Sequence, residues 1–350
     1  MSAKPEEKHA IEWFISDKAD EYRFDAKIMD PEHPDFEDQE EVKDSRRFYG
    51  IAMGQLVRTD EKIEEWLATR SSLQEKTINM YRSDLQNFAA AFTYVNDIER
   101  RSVTAWYQGR LAEGLKPKTM QRIVGAVRGY WGYLQDIELA SAEKDPFESL
   151  STKNKSRRSS DKPRQPFSPS EVSRLLDAAV HKGDDSLADL IRLAMWTGCR
   201  IESLCSLKLE HVADDHIQIT EDKTNAGRRK VPVHPKLKPA LDRLTQSSTD
   251  GYVLSNLTAN KYGDRSNAIG KRFGNLKRKL GFGPEHVFHS IRKTVITQLE
   301  QAGVPENVTA DIVGHEKKTI TYGLYSGGNS LSTLAEATAK LAYPEKAATR

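Results

Sequence analysis

Two arginines, a lysine, two histidines and a tyrosine in the second half of this sequence fall at element ends or on polar faces, where side chains are free to do chemistry. Arg200 opens the helical stretch in "TGCRIESLCSLKLEHV", where its guanidinium donors add to the free N–H groups of a helix end and favour an anion. In "VFHSIRKTVITQLEQAGV", His289 and Arg292 are three apart and share one helical face, while Ile291, Val295 and Leu299 form the opposite, buried stripe. His315 directly follows Gly314, the expected stop of a helix with Pro305 near its start and Val308 and Ile312 inside. Lys223 lies near the tip of an expected hairpin, and "VGHEKKTITYGLYSGG" supplies Tyr322 and Tyr325. A phenol titrates near about 10 and is a poor nucleophile at neutral pH, so a reactive tyrosine needs proton removal and charge stabilisation from its neighbours. Taken singly, each residue has an ordinary explanation, such as a surface arginine or a tyrosine that buries its ring and keeps its hydroxyl on a polar partner.

The elements that must hold these residues can be read from periodicity and punctuation. "SPSE" opens a helix, with Ser168 as N-cap, Pro169 as first helical residue and Glu171 completing a capping box. The helical pattern continues through Leu190, Ile191, Ala194 and Met195 to a stop at Gly198, and a helix restarts at once with Arg200. "HIQIT" and "RKVPVH" alternate like strands around the turn-like "EDKTNAG", which predicts the hairpin. Upstream, from residue 55, the chain reads as helical, with apolar residues recurring at three and four, as in Ile78, Tyr81, Leu85 and Phe88 or Ile123, Val127, Tyr130 and Leu134. Two of these helices open on Lys76-Thr77 and Lys118-Thr119, where threonine is expected as the N-cap. Basic residues recur at Arg82, Arg122 and Arg128, and with those two openings they are expected to align with a phosphate backbone.

Charge divides the chain further. The net charge of +2 conceals 8 Lys/Arg against 15 Asp/Glu in residues 1–50, a balance of −7, which leaves +9 for the remainder. Residues 1–54 therefore read as an acidic N-terminal extension, solvated or loosely ordered, ahead of a basic body. "STKNKSRRSSDKPRQPF", residues 151–167, is rich in Ser, Lys, Arg and Pro, a linker composition whose charge suits a strap across DNA. A length of 350 residues with 37% hydrophobic content supports a real core and more than one domain. No apolar run reaches the roughly 18 residues needed to cross a bilayer, and the start lacks the basic-then-apolar order of a signal peptide, so a cytoplasmic, membrane-free location is expected. Cys199 and Cys205, without other cysteines or a nearby histidine, fit neither a disulfide framework nor a zinc site and read as packing residues.

"TGCR", the hairpin lysine in "EDKTNAGRRKVPVH", "HSIR", "VGH" and a downstream tyrosine, in this order, resemble the tyrosine recombinases, also called the phage integrase family. Each motif is short and unspecific alone; five in order and spacing are specific together. The resemblance runs over roughly residues 55 to 330 and is stronger in the second half. It implies a mainly α fold with a small β-hairpin or sheet in the catalytic domain (α+β), in which a helical core-DNA-binding domain (55–150) and a catalytic domain (168–328) form a two-domain C-shaped clamp on double-stranded DNA. Arg200 and Arg292 would clamp the non-bridging phosphate oxygens, and His315 would donate a further hydrogen bond. By the same resemblance, His289 assists proton transfer at the tyrosine and Lys223 protonates the leaving 5′-oxygen. The product is a 3′-phosphotyrosyl bond. That ester keeps the phosphodiester energy, so a second DNA end can reverse the step with no metal, cofactor or ATP, in keeping with a sequence that has no GxxxxGK[ST] loop.

Two departures stand out. The family commonly has an acidic residue three after the first arginine, where this chain has Ser203 with Glu202 just before it. The family's tyrosine usually lies about nine residues after the "GH" histidine, whereas Tyr322 is seven and Tyr325 ten after His315. Tyr325 needs the smaller change of loop length and is followed by the flexible "SGG", which makes it the favoured nucleophile. Residues 329–350 carry helical apolar spacing at Leu331, Leu334, Ala337 and Leu341, and the resemblance leaves packing on the chain itself or on a neighbouring subunit both open. It further implies a homotetramer on paired sites, with a place for accessory directionality or DNA-bending factors. A type IB topoisomerase would use similar residues, but the tail and compact size favour recombination. The reading from another class is a non-enzymatic DNA-binding accessory protein or repressor on a recombinase fold.

Overall fold

Residues 187–197 read LADLIRLAMWT, apolar almost all round, and a helix of that composition has to be enclosed. A computed structural model, which describes residues 5–24, 26–35, 39–54, 56–143, 145–148, 150, 163–220, 227–317 and 327–344, places it at the heart of the second of two compact units. The units are Met1–Arg157 and Arg158–Arg350. The first contains α1 (Pro5–Arg23), α2 (Glu40–Ala52), α3 (Ile63–Ala68), α4 (Glu75–Ala91), α5 (Arg100–Ala112) and α6 (Pro117–Asp136). The second contains α7 (Pro169–His181), α8 (Asp185–Thr197), α9 (Ile201–Cys205), β1 (His216–Ile219), β2 (Arg229–Pro232), α10 (Lys238–Ser247), α11 (Ser266–Lys279), α12 (His289–Gln301), α13 (Glu306–Val313) and α14 (Leu331–Thr338). The fold is mainly α, with one small antiparallel sheet among the described residues.

In the first unit, α3 to α6 bury Trp66, Leu85, Phe88, Val103, Val127, Tyr130 and Leu134 in one core. The rings of Phe88 and Trp106 meet edge to face at 5.1 Å, and the buried Tyr130 hydroxyl donates to the Thr59 carbonyl at 2.7 Å. The expected threonine caps do not occur. Gln74 and Lys116 cap α4 and α6, and neither makes a side-chain cap bond. Pro117 takes the first position of α6, since proline has no N–H to lose there, and this moves Thr119 inside the helix. The acidic extension is more structured than its composition suggests. Helices α1 and α2 pack on each other, Val42 is buried, and Gln39 clamps Ile28 by two main-chain bonds of 2.9 Å.

In the second unit α7 starts on the expected capping box, with Glu171 N donating to Ser168 Oγ at 3.2 Å and Ser168 N donating to the Glu171 carboxylate at 2.8 Å. The helical run does not continue unbroken to Gly198. It breaks after His181, where Gly183 takes a positive φ of 68° and Asp184 caps α8. Around α8 lie α7, α9, α10, α11 and α12, the last contributing the fully buried stripe Ile291, Val295 and Leu299. Strands β1 and β2 pair antiparallel, with Ile219 opposite Arg229. Two composition-based boundaries shift. Phe167, assigned to the linker, is buried in this core, and Thr294 donates to its carbonyl at 2.7 Å. The tail stripe, open between two modes of packing, is covered within the chain: Leu334, Ala337, Leu341 and Tyr343 are buried against the α8 core, and Tyr343 donates to the Met195 carbonyl at 2.9 Å. Enclosing one such leucine stabilises the unit by about 1.5–3 kcal/mol. Both cysteines are buried as packing residues, and burial pushes the Cys205 thiol up to about 12. Among the described residues no helix is long and apolar enough to cross a membrane.

Candidate active site

The site is built where two helices end on left-handed glycines. Gly198 (φ 62°) terminates α8 and Gly314 (φ 72°) terminates α13, both in the region that costs other residues steric strain. Gly198 is also a close-approach position: a Cβ there would sit 3.1 Å from Val295 Cγ1 and 3.3 Å from Val313 Cγ1. The end of α8 is thereby pressed against α12 and α13, which brings "TGCR", "HSIR" and "VGH" together.

The two arginines are stitched crosswise through these turns. Arg292, only 1% exposed, donates from Nη1 to the Gly198 carbonyl at 2.9 Å, two residues before Arg200. Arg200, the N-cap of α9, donates from Nη2 to the Gly314 carbonyl at a long 3.4 Å, next to His315. Helix α9 has only five residues, so the positive character comes from the guanidinium groups more than from a helix dipole. The expectation that His289 and Arg292 share a polar face is met in sequence spacing, but that side of α12 points inward at Arg292 and outward at His289.

Both histidines record this field. His315 reaches the surface, yet desolvation by the surrounding protein, followed by the charges of Arg292, Arg200, His289 and Arg229, lowers its pKa to about 4. His289 is lowered too, first by desolvation and then by Arg292, Arg200 and Lys293. The charges acting on both rings are positive, so each histidine is neutral at pH 7. A neutral imidazole offers one donor and one acceptor, suited to passing a proton or to holding an oxygen beside charged groups. Among the described residues, no cluster of three or more His, Cys, Asp or Glu side chains could hold a metal ion.

One residue of the site went unread in the sequence. Arg229 at the start of β2 donates from Nε to the Ile312 carbonyl at 2.7 Å, from Nη1 to the Gly227 carbonyl at 2.7 Å, and from Nη2 to Cys199 Sγ at 3.2 Å. It thus ties the hairpin to the residues just before Arg200 and before Gly314. Strand alternation was the available signal, because Arg229 shares its face with Val231, which is fully buried. Lys223 falls in residues 221–226 and Tyr322 and Tyr325 in residues 318–326, all outside the described residues.

In the first unit, the residues expected to meet phosphate are differently placed. Arg82 forms a fork with Glu64, at 2.6 and 2.8 Å, Arg122 pairs with the buried Asp84, and Arg128 meets Asp145 at 2.7 Å. Arg122 and Asp84 link α6 to α4, so this pair holds the helices together. Lys76 and Lys118 are exposed in the first turns of α4 and α6, with Thr77 and Thr119 half-buried beside them.

This arrangement agrees with two family models. The one described as Phage integrase family matches residues 166–329, and the one described as Phage integrase, N-terminal SAM-like domain matches residues 63–136. The chain belongs to the phage integrase family. A "Tyrosine recombinase" of Pseudothermotoga lettingae is 25% identical over 277 residues, covering 75% of this chain and 91% of the relative. "Tyrosine recombinase XerD" of Chlamydia pneumoniae is 23% identical over 274 residues, covering 73% and 87%. Among solved structures, a lambda integrase dimer bound to a COC' core site matches with TM-score 0.62 at 17% identity, over 79% of each chain. The Tn1549 transposon integrase with a circular intermediate DNA matches with TM-score 0.61 at 19% identity, over 81% of this chain and 99% of that one.

Within the phage integrase family this chain's departure after Arg200 acquires a structural side. Glu202 caps α11, accepting from Arg265 N at 2.8 Å and Ser266 N at 2.9 Å. It also accepts from Ser206 Oγ at 2.8 Å. A carboxylate on the free N–H groups of a helix start is a favourable use of its charge, and it keeps α9 docked on α11.

Proposed function

We propose that this phage integrase family member is a site-specific DNA recombinase that cuts and rejoins DNA through a 3′-phosphotyrosyl intermediate. The observation that carries the reading is the crosswise union of Arg200 and Arg292 at the Gly198 and Gly314 turns, with two histidines neutral beside them. Such a cluster suits a phosphodiester: two guanidinium groups oppose the charge that builds on the non-bridging oxygens, and neutral His315 adds an N–H donor. Neutral His289 can accept the phenol proton, which a protonated ring could not. Tyr325 attacks phosphorus, the bond to the 5′-oxygen breaks, and Lys223 supplies the proton that oxygen needs. The reverse sequence with a second 5′-hydroxyl rejoins the strands and requires neither metal nor ATP. We further propose that the two units close around double-stranded DNA and that four chains assemble on paired sites, as the family resemblance implies. A tetramer bound to a Holliday junction is known for lambda integrase, a structural relative at TM-score 0.60.

A nicked suicide duplex, chosen by binding selection from a random-sequence library, tests the reaction. Wild-type protein should form a covalent adduct, Tyr325→Phe should bind the duplex without forming one, and peptide mapping should place the nucleotide on Tyr325. An adduct on Tyr322 would transfer the nucleophile three residues upstream, and firm binding with no adduct would turn the assignment to the accessory-factor class. For the leaving group, Lys223→Ala should slow cleavage of ordinary DNA by about 10²-fold or more. DNA with a bridging 5′-sulfur, whose thiolate leaves unprotonated, should be cut by this variant nearly as well as by wild type. Equal losses on both substrates would remove Lys223 from the acid role.

A further inference from the structure

The candidate nucleophile belongs to a stretch whose two flanks converge on one carboxylate. Asp311 lies on α13, one turn before Gly314. Its Oδ1 forms an ion pair with Lys317 Nζ at 2.6 Å. Its Oδ2 accepts from Asn329 N at 3.0 Å and from Asn329 Nδ2 at 2.7 Å. The pair is well shielded, with Asp311 and Lys317 side chains 21% and 11% exposed. Beyond Asn329 the chain is rigid at once, because Ser330 caps α14 by accepting from Thr333 N at 3.2 Å and Leu334 is buried in the core. Before Lys317, two residues away, stands His315 on the Gly314 turn.

We propose that Asp311 is a positioning residue that ties together Lys317 and Asn329, the described residues on either side of the tyrosines in sequence, and so favours attack by Tyr325. The inference rests on the recombinase reading above. Both tyrosines lie between the two anchors. Pinning the ends of a loop removes much of the conformational freedom its middle would otherwise have, and a nucleophile gains rate in proportion to the time spent at attacking distance. The carboxylate suits the task because both of its oxygens are engaged, one on each flank, so a single residue of a rigid helix sets the separation of the two ends. Its bonds to Lys317 and to the Asn329 side chain are charge-assisted, the stronger class of hydrogen bond.

The test compares the first-order rate of adduct formation with DNA affinity, using the full chain and the nicked duplex selected above. Asp311→Ala should slow the adduct by about ten- to a hundredfold at saturating DNA. The dissociation constant should stay within about twofold, since no phosphate contact is altered. Asp311→Asn keeps an acceptor for Asn329 but loses the ion pair, and should fall between Asp311→Ala and wild type. Lys317→Met and Asn329→Ala remove one anchor each with little risk to the fold; each should slow the adduct less than Asp311→Ala and add little to it in the double variants. Unchanged rates in Asp311→Ala would overturn the proposal, as would parallel losses of DNA affinity and melting temperature with the rate in all three positions. A wild-type chain that binds DNA and forms no adduct would bring down the recombinase reading and this one with it. Failure of the variants beside an active wild type would strike this proposal alone.

Discussion

In the first unit Arg82, Arg122 and Arg128 each meet a carboxylate, that of Glu64, Asp84 and Asp145; in the second, Arg200, Arg292 and Arg229 reach the main-chain carbonyls of Gly314, Gly198 and Ile312. A carboxylate cancels the charge it orients, whereas a carbonyl orients a guanidinium and leaves its full charge in place. The histidines beside Arg200 and Arg292 are lowered first by desolvation and then by the positive charges of those arginines. An arginine's chemistry therefore follows from its partner more than from its presence. The first unit's arginines bind carboxylates of neighbouring segments, and the second unit's bind main-chain carbonyls around the Gly198 and Gly314 turns.

The largest effect should come from removing an arginine that bonds a carbonyl. Arg292→Ala is expected to lower the rate of adduct formation by about 10²–10³-fold, as expected for loss of a preorganised charge at developing negative charge. Arg292→Lys should restore little, because a point charge on a flexible stem cannot reproduce a planar fork held against Gly198. Suicide-substrate kinetics measure both, and full activity of Arg292→Lys would erase the distinction between the units.

A smaller effect, of another kind, is expected in the first unit. Arg122→Ala strands Asp84, whose side chain is 10% exposed, and should cost about 1–3 kcal/mol of stability in denaturant melts. Its effect on DNA should be slight. In binding titrations over a range of salt, Arg122→Ala and Arg82→Ala should leave the slope of log K against log[salt] unchanged, whereas Lys118→Ala should reduce it by about 0.9 if that exposed lysine neutralises a phosphate. A reduced slope for Arg122→Ala would mean that the pair with Asp84 opens on DNA.

The smallest effect is on pH dependence, and its sign follows from the depressed histidines. His315 titrates at about 4 in the folded chain against an ordinary 6.5, so between those values the unfolded chain binds more protons. Stability should fall as pH drops from about 6.5 towards 4, by a few degrees of melting temperature, with no loss above that window. His315→Asn should flatten the drop. Bound DNA should flatten it too, because a phosphate at the site favours the charged imidazole.

Much of the site was legible before any fold was known. The ends of α8 and α13 could be placed at Gly198 and Gly314 because glycine marks left-handed caps, and the Ser168 box marked a helix start through local bonds alone. The stripe Ile291, Val295 and Leu299 followed from helical spacing. The break at Gly183 was missed because apolar spacing resumes on the far side in nearly the same phase. Helices α1 and α2 were hidden by their surface charge, and the Thr119 cap failed because Pro117 outranks Thr119 as a helix opener.

What the sequence by itself determined is chemical inventory and local punctuation: which cations, imidazoles and phenols exist, in what order, and at which helix and strand ends. These depend on residues within a few positions of one another, so a linear string carries them. Only the tertiary structure decided which partner each charge meets. Arg292 meets Gly198 across 94 residues and Arg200 meets Gly314 across 114, whereas Arg122 finds Asp84 across 38 and spends its charge there. Glu202 was likewise committed to the start of α11 and Asp311 to both flanks of the tyrosine segment by contacts made in space. Periodicity reports which face of an element is buried, but the partner a buried polar group finds depends on how distant elements pack, and that partner decides whether its charge is cancelled or kept for the substrate.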